Sequence, residues 1–76
     1  MWDYVVVVYP KGEDWQVIDV EASSKLQAAI KAVNIVMGYD VYSEEAIPFG
    51  SVSELSAAVV DLGITSIGEI LLKGSK

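Results

Sequence analysis

The sequence predicts an α+β fold: an N-terminal antiparallel β-hairpin, two helices packed on a small sheet, and a C-terminal segment that is either a strand or a short helix. Three observations carry that expectation. Residues 2–9 are a β-branched and aromatic run stopped by Pro10. Two Ser-x-x-Gln/Glu boxes each open an apolar stripe that ends at a glycine, which is how a helix start and stop are written. A hairpin alone is marginal in water, so the chain needs helical cover and favours a third strand.

The first strand contains four consecutive valines, Val5, Val6, Val7 and Val8. Such a run does not alternate, so both of its faces should be covered, by a central position in the sheet or by a subunit contact. Pro10, Lys11 and Gly12 supply turn chemistry, and residues 15–20 resume strand propensity, which places a hairpin turn over residues 10–14. In the second strand Gln16, Ile18, Val20 and Ala22 share the cleaner core face, while Trp15, Val17, Asp19 and Glu21 share the other.

Ser24-Lys25-Leu26-Gln27 is the first capping box, followed at helical spacing by Leu26, Ala29, Ile30, Val33 and Met37, with Gly38 as the stop. Residues 39–50 hold two tyrosines, two adjacent glutamates, a proline and a phenylalanine. A short strand near Val41 and Tyr42 or over residues 46–49 is conceivable there, though Pro48 favours an edge or a loop. Ser51-Val52-Ser53-Glu54 opens the second helix, whose stripe is Leu55, Ala58, Val59 and Leu62; Gly63 stops it, with Ile64 as the hydrophobic contact of its end. Residues 66–73 fit a closing strand slightly better than a third helix, although Ser66-Ile67-Gly68-Glu69 repeats the capping pattern. Residues 1–73 form one domain, and residues 74–76 read as a loose tail.

Composition removes whole chemistries. The 76 residues include no histidine and no cysteine, which excludes His- or Cys-ligated zinc, Ser-His-Asp and Cys-His catalysis, and thiol redox chemistry. Every basic residue is lysine, so no guanidinium fork is available for guanine or phosphate. Eleven acids against five bases leave a net charge of −6, which repels nucleic acid and anionic membranes and suits a basic protein partner. The first residues carry an acid where a secretory signal carries positive charge, and the apolar residues 26–37 are too few to span a bilayer; a cytoplasmic protein is expected.

Candidate sites weigh unequally. Asp19 and Glu21 share a strand face and would suit Mg²⁺, but acids leading into a helix N-terminus have an electrostatic reason of their own, and no metal or other cofactor is expected. The glycines Gly63 and Gly68 have phosphate-loop spacing, yet Glu69 stands where the loop requires lysine. A helix-turn-helix outline over residues 53–74 lacks the phosphate-binding charge around it. The seven aromatics, Trp2, Tyr4, Tyr9 and Trp15 on the hairpin and Tyr39, Tyr42 and Phe49 in the irregular segment, exceed what a thin core easily hides.

The expected function is a small, non-catalytic, self-associating protein-protein interaction module. Tyr39, Tyr42 and Phe49 are the candidate aromatic anchors for a basic partner, Glu44 and Glu45 the candidate charges, and Val5, Val7 and Trp15 the candidate oligomer contact. The alternative is a small acidic inhibitor, of the viral or mobile-element kind, that mimics nucleic acid and blocks a basic nucleic-acid-binding protein.

Overall fold

The computed structural model describes residues 1–63 and 65–75, in the order β1 (Trp2–Pro10), β2 (Gln16–Ala22), α1 (Lys25–Met37), α2 (Val52–Leu62) and β3 (Thr65–Ser75). The three strands form one antiparallel sheet in the order β2-β1-β3. The fold is therefore α+β, and the C-terminal segment is a strand. Ser66 opens no helix, because residues 65–75 pair with β1 along its length, from Pro10↔Thr65 to Trp2↔Ser75. Gly74 and Ser75, expected as tail, are thus the last rungs of β3. The expected contact at Ile64 lies outside the described residues.

β1 is the central strand, as expected, but only one of its two faces is covered by the helices. Tyr4, Val6 and Val8 point to the helices and are buried, while Val5 and Val7 point to the opposite face and stay half-buried. Pro10 accepts the Glu13 N–H at 3.2 Å, and Gly12 at φ +79° supplies the left-handed residue that this tight turn requires. β2 shows the expected alternation, with Val20 and Ala22 inside and Val17, Asp19 and Glu21 outside.

Both helix starts are where the capping boxes place them. The Ser24 hydroxyl accepts from the Gln27 N–H at 3.1 Å, and the Ser51 hydroxyl from the Glu54 N–H at 3.2 Å. The return arm of each box is displaced by one residue: Gln27 Oε1 accepts from the Ser23 N–H and Glu54 Oε2 from the Gly50 N–H, both at 2.8 Å. Each box therefore ties down the chain entering the helix as well as its first turn. Both stops are left-handed glycines, Gly38 at φ +80° and Gly63 at φ +72°. Replacing Ser24 or Ser51 by alanine should cost about 1 kcal/mol each. Denaturant midpoints unchanged at both positions would remove the caps from the account of stability.

Two clusters fill the space between sheet and helices. Tyr4, Val6, Val8, Val20 and Ala22 meet Ala28 and Ala32 of α1, whose small side chains let the helix sit close to the sheet. Ala29, Ile30 and Val33 on the adjoining stripe of α1 meet Leu55 and Val59 of α2. Ile67 and Ile70 of β3 touch both clusters and join them. Leu62, expected in the α2 stripe, is exposed at the last turn. Among the described residues no helix is long and apolar enough to cross a membrane.

Candidate functional site

Both helices pack on one face of the sheet, the face carrying the even-numbered residues of β1. Among the described residues no helix packs on the other face. Its centre is Val5 and Val7 of β1, flanked in register by Val17 of β2 and Leu71 of β3, with Val7↔Val17 and Val5↔Leu71 as direct cross-strand partners. Val17 and Leu71 are about half exposed, at 50% and 52%. Toward the hairpin end this strip continues into Tyr9, and Trp15 beside the turn is 62% exposed. Tyr9 lies over Gly68: a Cβ built on that glycine would stand 2.6 Å from Tyr9 Cε2, so the absence of a side chain there is what lets the ring settle against β3.

Acids stand on the same face, beside its centre and at the end away from the hairpin turn. Asp3 and Glu21 are cross-strand partners, and Asp19 stands opposite Val5. Lys73 reaches across from β3 to Asp19 at 3.2 Å, an exposed pair whose lysine and aspartate side chains are 56% and 70% accessible. Such a pair contributes little to stability and exchanges readily for another partner. Among the described residues no group of three or more acids is placed to hold a metal ion.

The structure thus places two of the sequence-predicted contact residues, Val5 and Val7, at the centre of the open face, and Trp15 beside the turn at its end. It does not bring the five residues of the aromatic-acidic segment together on the surface. Tyr42 and Phe49 stack edge-to-face with ring centroids 4.9 Å apart and pack against the cluster formed by Ile30, Val33, Leu55 and Val59. Glu44 is held on two sides, its carbonyl accepting from Gln27 Nε2 at 3.2 Å and its carboxylate 3.8 Å from Lys31 Nζ. Tyr39 and Glu45 remain on the surface.

That segment has no strand, for a local reason. Asn34, 7% exposed on α1, accepts from the Val41 N–H at 2.9 Å and the Tyr42 N–H at 3.3 Å and donates to the Tyr42 carbonyl at 2.9 Å. Ser43 Oγ accepts from the N–H groups of Glu45 and Ala46. Side chains thereby take the backbone groups a strand would need. Two features of the open face escaped the sequence reading: Leu71 and Val17 as its outer members. Leu71 falls where helix and strand patterns conflict, and Val17 follows from the alternation of β2 once the helices are known to lie on one side only.

The chain matches no protein-family model, no curated protein and no solved structure. Its chemistry rests on its own geometry.

Proposed function

We propose that the protein is a non-catalytic interaction module whose working surface is the open face of its sheet, and that its partner is a protein presenting an apolar ridge beside basic residues. The observation that supports this reading is the pair of cross-strand contacts Val7↔Val17 and Val5↔Leu71, on neighbouring rungs of a face that no helix covers among the described residues. Contiguous apolar surface of this kind is costly to leave in water and marks interaction surfaces. The acidic rim at Asp19 and Glu21, with a net charge of −6, suits a basic partner and speeds its encounter. Exposed aromatic residues such as Trp15 are the side chains that anchor such contacts.

The test is site-specific photo-cross-linking from Val17, with Ile35 on the exposed side of α1 as control, followed by affinity measurements on the protein captured. A partner held by the open face cross-links from Val17 and not from Ile35. Val17→Lys and Trp15→Ala should then each weaken its binding by at least about tenfold, roughly 1.4 kcal/mol. Both positions are exposed, so the melting temperature should stay close to that of the parent. Capture from Ile35 alone, no capture at either position, or unchanged affinity in both variants overturns the reading.

A further inference from the structure

The sheet has two outer edges, one on β2 and one on β3, and a free edge is a template for another strand. The two edges differ in what they permit. β2 carries only Asp19 and Glu21 as charged residues, so no two-fold pairing of β2 with a second β2 offers an opposite-charge contact, and pairings centred on Asp19 or Val20 set carboxylate against carboxylate. β3 carries one charge of each sign, Glu69 and Lys73, two positions to either side of Leu71. Leu71 is opposite Val5 on the open face, Lys73 reaches Asp19 on that side, and Glu69 falls there by alternation from Ile70, which is opposite Val6. The register of β3 against β1 shifts beside Glu69 and again beside Lys73, so residues 70–72 are the regular stretch between the two charges.

From this arrangement we infer that two copies of the chain join edge to edge through β3, antiparallel, about a two-fold axis at Leu71. In that register Leu71 stands opposite its own copy, Ile70 opposite Leu72 on the helix side, and each Glu69 opposite a Lys73. Antiparallel pairing keeps directly opposed residues on the same face, so both charge pairs form on the open side. A shift of the axis by one residue, to Ile70 or Leu72, sets Glu69 or Lys73 against an apolar residue and removes both pairs. The charges that blunt this edge against other strands are therefore complementary to the edge itself. Leu71 and Leu72, each 52% exposed, gain cover from the second copy. The Lys73–Asp19 contact is exposed and offers little resistance to the exchange.

Pairing of this kind fuses two three-stranded sheets into one and places their open faces side by side. It extends the interaction surface proposed above without depending on which partner that surface binds. The isologous contact is also distinct from face-to-face stacking, which would bury the surface rather than enlarge it.

Sedimentation equilibrium on the intact chain at micromolar to millimolar concentration should show a dimer. Glu69→Lys alone and Lys73→Glu alone should each weaken it by at least tenfold, because every opposed pair becomes like-charged. An equimolar mixture of those two variants restores both opposite-charge pairs and should dimerise as the parent does. The chain contains no cysteine, so Leu71→Cys should close an intermolecular disulfide under mild oxidation while Val17→Cys should not. Circular dichroism confirms that each variant is folded; where Lys73→Glu is not, the Leu71→Cys and Val17→Cys pair decides. A monomer at millimolar concentration, failure of the folded mixture to re-form the dimer, or cross-linking through Val17 instead of Leu71 overturns the edge contact. Val17→Lys should leave the dimer intact, and Glu69→Lys should leave partner capture from Val17 intact, so the two proposals fail separately.

Discussion

Leu55→Ala should be the most damaging single truncation in the helical layer, lowering stability by about 3 kcal/mol. Leu55 is fully buried and is packed with Ile30, Val33 and Val59 between the two helices, beneath the loop residues Tyr42 and Phe49. A 76-residue domain has only about 4–11 kcal/mol of stability in total. The loss therefore takes a large share of it, and a domain of this size should lose at least about 12 °C in melting temperature. The cavity would open where α1, α2, β3 and the loop converge, and none of these can close it without leaving its other contacts. Val60→Ala, on the exposed side of the same helix, is the control and should stay within about 0.5 kcal/mol. Urea midpoints for the two variants decide the matter: similar shifts, or a shift below about 1 kcal/mol for Leu55→Ala, would mean that α2 is not clamped as described.

Much of this architecture is legible in the sequence because local rules and global packing agree. The glycines at 38 and 63 and the serines at 24 and 51 mark both helices, since each satisfies backbone groups that a helix end leaves orphaned. The four valines place β1 in the centre, where one pair meets helices and the other lies on a face of its own. Where the reading falls short, the information is non-local. The stripe of α1 read from the sequence is the one facing α2; the stripe Ala28, Ala32 and Val36 facing the sheet is built mainly of alanine, whose periodicity is too weak to stand out. Residues 66–73 satisfy a helix cap and a strand pattern at once, and only the exposed backbone groups along β1 decide between them. Tyr42 and Phe49 look like surface anchors because they sit in an irregular, acidic stretch, and it is the hydrogen bonds from Asn34 that turn the stretch inward.

Asn34→Ala carries the second large effect, because one side chain there serves three backbone groups. Its loss leaves the N–H groups of Val41 and Tyr42 and the Tyr42 carbonyl without the partners that hold them at 2.9–3.3 Å beside a buried helix position. Stranding buried polar groups costs about 1–3 kcal/mol apiece when water cannot reach them; these are half-buried, so a total of about 2–3 kcal/mol is expected. Asn34→Leu should be no better, since an apolar side chain of similar size fills the space but offers nothing to the same three groups. Hydrogen exchange at the Val41 and Tyr42 amides should accelerate, and the near-ultraviolet signal of the stacked Tyr42 and Phe49 rings should weaken. The loop packs on the helix side of the sheet and the open face looks the other way, which separates the two consequences. At a temperature where the variant stays folded, partner capture from Val17 and pairing through β3 should persist while loop protection falls. A variant that keeps its sheet and helices but loses the partner would move the working surface from the sheet to residues 39–49, with exposed Tyr39 and Glu45 as its first members.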